Sequence, residues 1–146
     1  SNDSFGLIVN KKGTSIIFVN DENQILLFLR DDKKGIPYPN CWDILGGNVE
    51  QDETPQECIV REMKEEIGID LKIPTLFKYY LTEGRIEYTF WEKTNFNIET
   101  INLTEGQKLK WFTEKEIRSM ADNEIAFHFK NVLIEFFDHY STINID

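Results

Sequence analysis

The stretch "GNVEQDETPQECIVREMKEEIGI", residues 47–69, concentrates acidic side chains, with seven carboxylates and only two basic residues. Three of the carboxylates, Glu62, Glu65 and Glu66, would crowd together if this stretch were helical. Like charges three or four residues apart on a helix repel each other by about 0.2–0.5 kcal/mol per pair. The crowding therefore calls for a counterion or a function that offsets the repulsion.

Local signals mark both ends of the helix. Thr54 and Glu57 form a capping box, with Pro55 at the first helical position, and Gly68 stands where helices usually end. These signals predict a helix over about 55–67. At about 100° per residue, one arc of this helix is apolar and a different arc carries the acids. The apolar arc contains Ile59, Val60, Met63 and Ile67, and the other contains Cys58, Glu62, Glu65 and Glu66.

Two glycines, Gly46 and Gly47, follow the strand-like "WDIL" and precede the acidic stretch. A glycine backbone can approach a ligand closely, so its carbonyls could join the carboxylates. Oxygen ligands on a rigid helix suit hard divalent cations such as magnesium or manganese. The alternative is a solvated acidic face, which would make the chain a partner-binding module.

The remaining pattern predicts a single α/β domain over residues 1–146. Apolar and β-branched runs predict strands at 7–10, 14–20, 24–30, 76–82, 85–93 and 108–112, and Glu83-Gly84 predicts a hairpin turn. Near the end, apolar residues recur with helical spacing and predict an amphipathic helix that packs on the core. They are Ile125, Phe129, Val132, Leu133, Phe136, Phe137 and Tyr140.

Composition excludes several classes of function. A net charge of −10 argues against binding to a nucleic acid polymer or to an anionic membrane. No apolar run approaches the roughly 18 residues that span a bilayer. Cys41 and Cys58 have no Cys-x-x-Cys spacing, so neither a disulfide scaffold nor a zinc site with His128 and His139 is indicated. We therefore expect a cytoplasmic protein with reduced thiols.

The acidic stretch resembles the box of the Nudix hydrolases: Gly, five residues, Glu, seven residues, Arg-Glu, an aliphatic residue, any residue, Glu-Glu, any residue, Gly, an aliphatic residue. All fixed positions are filled, namely Gly47, Glu53, Arg61, Glu62, Met63, Glu65, Glu66, Gly68 and Ile69. The rest of the chain is similar to the MutT-like branch, which implies a Nudix fold: a mixed β-sheet layered between α-helices in an α/β/α sandwich. One departure is Leu45, where many relatives have proline.

The resemblance also implies roles for individual residues. Magnesium or manganese would be held by Glu65, Glu66, Glu62 and the Gly46 carbonyl, and Glu62 could instead act as the base. Arg61 and Glu53 would pair to hold the loop against the helix. Glu105, in the later loop "LTEGQ", matches a further glutamate of the family that ligates metal or acts as the base. Arg30 and Arg85 match places where MutT-like proteins contact substrate, and His128 is a candidate group for stacking on or reading the base.

The implied reaction is metal-dependent hydrolysis of a phosphoanhydride in a nucleoside diphosphate linked to another group. Nucleoside triphosphates are the leading substrates, with nucleotide sugars or ADP-ribose as alternatives, and the protein would be a monomer or a homodimer. Cations would bridge an acidic protein and an acidic substrate. The non-enzymatic rival is a Nudix-like domain that senses a nucleotide without cleaving it. Loss of a box carboxylate would favour that rival, and none is lost.

Overall fold

A computed structural model describes residues 11–143, and the contacts of the chain divide into two compact units. Of the described residues, the first unit contains 11–17 together with Leu45–Glu92, and the second contains Phe18–Ile44 together with 93–143. The strand predicted at 7–10 lies outside the described residues. The assignment of residues 1–146 to one domain stays a prediction.

The described elements combine strands and helices in an α/β arrangement, as predicted. In chain order they are β1 (Lys12–Val19), β2 (Ile25–Leu29), β3 (Trp42–Asp43), β4 (Leu45–Asn48), α1 (Pro55–Ile67), β5 (Thr75–Thr82), β6 (Arg85–Lys93), β7 (Lys108–Phe112), α2 (Glu114–Ser119) and α3 (Phe129–Ile143). Short 3₁₀ segments occupy Ile98–Thr100, Asp122–Glu124 and Ala126–His128. The strands predicted within this range agree with these bounds to within two residues.

In the first unit, the strands run in the order β4, β1, β6, β5. β1 and β4 are antiparallel, with Gly13 opposite Asn48 and Ser15 opposite Gly46. β5 and β6 form the predicted hairpin through the turn at Glu83-Gly84. Because β4 leads directly into the loop before α1, this ladder fixes where the acidic stretch begins.

Helix α1 has the predicted ends. The Thr54 hydroxyl accepts a hydrogen bond from the Glu57 amide at 3.1 Å, and the Glu57 carboxylate accepts one from the Thr54 amide at 2.9 Å. Gly68 ends the helix in the left-handed region, at φ 70°, where a side chain would be strained. Local capping chemistry therefore decides the length of this helix.

The predicted faces of α1 need one correction. Cys58 is fully buried, whereas Val60 is 38% exposed. The reason is that α1 packs on β4, and the Cys58 thiol lies 3.2 Å from the Thr14 hydroxyl. Cys58 thus belongs to the core, and burial raises its pKa to about 11.

In the second unit, β2 is the central strand. It pairs with β7 along its whole length and with β3 at its end, and Val19 at the end of β1 lies opposite Ile25. Helices α2 and α3 pack against each other. The apolar face of α3 is buried as predicted, at Phe129, Val132, Leu133, Phe136, Phe137 and Tyr140.

The predicted start of the last helix is wrong. Ile125 lies before α3, which begins only at Phe129. Phe127 and His128 adopt φ values of 55° and 60°, and left-handed residues cannot continue a right-handed helix. Ile125 is nevertheless buried and forms a parallel bridge with Trp42. The apolar residues therefore keep a helical spacing in the sequence, although the helix itself does not extend back to Ile125.

Across residues 11–143, no helix is both long enough and apolar enough to cross a membrane.

Candidate active site

The atoms packed against β4 leave no room for a side chain at Gly46 or at Gly47. A Cβ atom on Gly46 would overlap the backbone carbonyl oxygen of Thr14 on the adjacent strand. A Cβ atom on Gly47 would instead overlap the carboxylate of Glu62. The missing side chain at Gly47 therefore makes room for the Glu62 carboxylate against the backbone of the turn.

The Gly47 carbonyl is also held in place. It accepts a hydrogen bond from the Thr14 hydroxyl at 3.1 Å, and the Cys58 thiol lies 3.8 Å from it. Thr14 is itself buried. Strand β1 and helix α1 thus fix the turn from two sides, which orients the backbone next to Glu62.

Arg61 lies at the centre of an acidic cluster, which consists of Glu53, Glu62 and Glu65. Its Nε donates to Glu53 Oε2 at 2.6 Å and its Nη2 donates to Glu53 Oε1 at 3.0 Å, a bidentate ion pair. Its Nη1 donates to Glu65 at 3.1 Å and lies 3.6 Å from a Glu62 oxygen. Arg61 therefore ties the loop carboxylate Glu53 to two carboxylates of the helix.

This pairing shifts the ionisation of both partners. The hydrogen bonds from Arg61 and from the Glu50 backbone amide lower the pKa of Glu53 to about 2. The hydrogen bond to Glu53 raises the pKa of Arg61 further above its already high value. Both groups stay charged at neutral pH, so the loop is held to the helix by a permanent ion pair.

The carboxylates proposed to hold metal differ in exposure. The Glu62 side chain is 14% exposed, whereas that of Glu65 is 59% exposed. Glu66 is half-buried, with its Oε2 atom enclosed by protein. In the described part of the chain, no three His, Cys, Asp or Glu side chains form a preassembled group that could hold a metal ion.

Arg85, predicted to contact substrate, donates hydrogen bonds to two residues of the first unit. Its Nε and Nη2 donate to Glu87 Oε1 at 3.1 and 2.7 Å, and its Nη1 donates to Asn48 Oδ1 at 3.0 Å. The Asn48 backbone carbonyl accepts from Arg61 Nη2 at 3.2 Å. Asn48 thus links Arg85 to the arginine of the acidic cluster.

Arg30 and His128 belong to the second unit. Arg30 forms an ion pair with Asp43 at 3.0 Å, donates to the Pro37 carbonyl at 3.0 Å and lies over the Phe127 ring at 5.2 Å. His128 follows Phe127 in sequence and is exposed. The structure therefore places the two predicted substrate contacts next to the same aromatic residue.

Glu105 is exposed and also belongs to the second unit. The loop is held directly after it: Gly106 has φ 90° and lies against Phe28, and the Gln107 amide donates to the Leu29 carbonyl at 2.8 Å. Motion of Glu105 must therefore come from its own side chain and from the residues before it. These contacts restrict any swing of the loop about Gly106.

Sequence reasoning missed Asn48 and Glu87. Asn48 is one of the five unspecified residues between Gly47 and Glu53, and Glu87 is one of two acids in β6. A signal was available for Glu87, because it lies two residues from Arg85 and residues i and i+2 share a face of a strand. Glu87 is only 2% exposed, and a buried carboxylate needs a partner.

The sequence of the chain is similar to those of known proteins. The family model described as "NUDIX domain" matches residues 9–133. The chain is 32% identical over 103 residues to a protein named RNA pyrophosphohydrolase from Marinomonas sp., a match that covers 70% of this chain and 58% of that protein. It is 31% identical over 104 residues to a CTP pyrophosphohydrolase from Escherichia coli, covering 67% of this chain and 73% of the relative.

Solved structures show the same fold. A crystal structure of a MutT protein from Methanosarcina mazei matches with a TM-score of 0.69 and 21% identity, covering 90% of this chain and 94% of that one. This likeness confirms the predicted α/β fold with its mixed sheet and helices. With the family model matched over most of its length, the chain belongs to the Nudix hydrolase family.

Proposed function

We propose that the protein hydrolyses a phosphoanhydride bond in a nucleoside diphosphate linked to a further group, with magnesium or manganese as cofactor. One observation carries the proposal: the Glu62 carboxylate lies against Gly47, beside an Arg61 that is fixed by Glu53. Membership of the Nudix family supports the reaction class.

The chemistry of the donor set fits a divalent cation. The candidate ligands are the carboxylates of Glu62, Glu65, Glu66 and Glu105 and the carbonyl of Gly46, all oxygen donors of the kind that magnesium and manganese prefer. Glu65 can turn toward an ion because its side chain is largely exposed, although it must then leave Arg61. When bound, the cation would neutralise phosphate oxygens and lower the pKa of a water molecule.

The chain's own residues supply positioning and proton transfer. Gly47 leaves the space that Glu62 occupies, and the Arg61–Glu53 pair keeps the loop and helix in register. Glu62 or Glu105 accepts a proton from the water that attacks phosphorus. Glu62 is the better placed of the two for a fixed role, because its carboxylate is mostly shielded from solvent.

Nucleoside triphosphates are the leading substrates, because the E. coli relative is named for CTP. The Marinomonas relative is named for RNA, and the net charge of −10 disfavours extended contact with a polymer backbone. Arg30, with Phe127 and His128 beside it, offers a cation and an aromatic face to a nucleotide. Nucleotide sugars and ADP-ribose remain alternatives, and the oligomeric state is a monomer or a homodimer.

A nucleotide sensor that binds without cleaving is the rival function. Retention of Glu53, Glu62, Glu65 and Glu66 favours the enzyme, because a sensor has no need of a base. The test is a screen of the purified chain with magnesium against nucleoside triphosphates, nucleotide sugars, ADP-ribose and an RNA oligonucleotide with a terminal triphosphate. Mass spectrometry identifies the products. We expect turnover of at least one small nucleotide; binding of nucleotides without any product would establish the sensor instead.

A further inference from the structure

We propose that Arg85 is a positioning residue: it acts on the acidic cluster through Asn48 and does not bind substrate. The inference rests on the proposed function for its kinetic consequences. Its structural basis is a chain of contacts within the first unit that runs from Glu87 through Arg85 and Asn48 to Arg61.

All three nitrogens of the Arg85 guanidinium already donate to protein atoms. Nε and Nη2 share Glu87 Oε1, and Nη1 reaches Asn48 Oδ1. The guanidinium also lies over the backbone of Gly13, where a Cβ atom would overlap it. Three of the five N–H groups are thus used, and they include the Nε–Nη2 edge that bidentate capture of a phosphate along that edge would need.

Burial of Glu87 makes the arrangement persistent. The Glu87 side chain is 2% exposed and that of Arg85 is 35% exposed. A buried carboxylate that loses its cation is strongly destabilising, so Arg85 cannot leave Glu87 without a large loss of stability. The remaining nitrogen, Nη1, is thereby presented to Asn48 at a fixed place.

Asn48 occupies the point where β4 becomes the loop before α1. It lies opposite Gly13 in the β1–β4 ladder and directly follows Gly47, whose backbone contacts the Glu62 carboxylate. Its side chain is held by Arg85 and its carbonyl by Arg61. Two arginines therefore fix one peptide segment, which sets the position of the turn relative to the carboxylates of the helix.

The kinetic test separates positioning from substrate binding. Asn48→Ala removes the acceptor for Arg85 and leaves the buried Arg85–Glu87 pair intact. We expect kcat to fall on the order of 10-fold with KM nearly unchanged, as for other residues that orient catalytic groups. Asn48→Asp keeps an acceptor oxygen and should retain most of the parent kcat.

Arg85→Lys is the matched change at the other end of the link. It keeps a positive charge for Glu87 but loses the planar group that also reaches Asn48. We expect kcat to fall as in Asn48→Ala, and the double variant to lose no more than either single variant. If Arg85 grips substrate, Arg85→Lys raises KM, Asn48→Ala leaves kcat and KM at parent values, and the inference is overturned.

A second measurement does not depend on turnover. The Nε–H proton of Arg61, assigned by its loss in Arg61→Lys, should exchange with solvent faster in Asn48→Ala than in the parent or in Asn48→Asp when followed by NMR. If exchange is faster in Asn48→Ala but the parent hydrolyses no substrate, the coupling of Arg85 to Arg61 through Asn48 is supported and the proposed function is rejected. Unchanged exchange together with an unchanged kcat in an active protein would reject the link alone.

Discussion

Arg61 and Glu53 form a bidentate ion pair, with Nε to Oε2 at 2.6 Å and Nη2 to Oε1 at 3.0 Å. The pair connects two segments that sequence places eight residues apart, the end of the loop and the middle of α1. A planar guanidinium suits this geometry and a lysine ammonium does not. The pair therefore holds Arg61 in the position from which it contacts Glu62 and Glu65.

Arg61→Lys should lower both stability and activity. The variant keeps the charge but loses at least one hydrogen bond to Glu53 and the contact to Asn48, so we expect Tm to fall by about 5 °C and turnover to fall on the order of 10-fold. Arg118→Lys is the matched control, because Arg118 pairs with Glu114 at 2.7 Å and Asp138 at 3.0 Å on the surface. Equal changes in Tm and turnover for the two variants would contradict the central position of Arg61.

Alanine at the two glycines should have different effects. Gly47→Ala displaces the end of a flexible side chain, Glu62, so the fold should persist while magnesium affinity and turnover each fall by about 10-fold or more. Gly46→Ala pushes against the Thr14 backbone and should destabilise the fold by about 1–3 kcal/mol. Denaturant unfolding, magnesium calorimetry and turnover measure the two effects. Normal magnesium affinity and turnover in a folded Gly47→Ala would remove Glu62 from the site.

Glu105→Gln tests the role of the later loop. If Glu105 takes the proton or holds the cation, turnover should fall on the order of 10²-fold while substrate binding changes much less. The control is Glu99→Gln, an exposed acid in the same polar region. Turnover and the pH–rate profile are compared for both variants. A Glu105→Gln profile that overlays the parent would assign the base role to Glu62 or another carboxylate of the helix.

Glu92→Gln should make the protein more stable at neutral pH. Desolvation by burial raises the pKa of Glu92 above its ordinary value, and its buried Oε1 atom accepts no hydrogen bond from the described residues. An acid with a raised pKa in the folded state binds protons more readily than in the unfolded state. Its contribution to stability therefore increases as pH falls through the folded pKa, and the charged form is unfavourable at pH 7.

The measurement is Tm across a pH series. We expect Glu92→Gln to raise Tm by about 1–3 °C at pH 7, with the gain shrinking toward pH 4. Glu22→Gln, at an exposed turn, controls for removing one charge from an acidic protein. An equal gain for both variants at every pH would show that net charge, and not burial of Glu92, is responsible.

Local signals account for what the sequence predicted well. The capping box at Thr54 and Glu57, with Gly68 at the other end, defined α1 without knowledge of its neighbours. The same reasoning misplaced Cys58, because only the packing of α1 on β4 decides which side of the helix is covered. It also extended the last helix to Ile125, because Phe127 adopts a left-handed conformation without a glycine to signal it.

Contacts between distant segments could not be predicted. The link between Asn48 and Arg85 joins residues 37 positions apart and depends on the register of separate strands. Spacing within the acidic stretch identified its charged residues, but the geometry around them comes from β1 and β6. The sequence therefore predicted the charged residues of the site better than the contacts with β1 and β6 that hold them in place.

Manganese titration tests the central claim, that the carboxylates of α1 hold divalent cations. Free manganese is followed by electron paramagnetic resonance, with and without a nonhydrolysable nucleotide analogue, for the parent, Glu66→Gln and the control Glu22→Gln. We predict saturable binding of two or more ions to the parent and the control, and affinity lower by about 10-fold or more in a folded Glu66→Gln. Absence of saturable binding in the parent under both conditions, or parent-like binding in Glu66→Gln, would contradict the account.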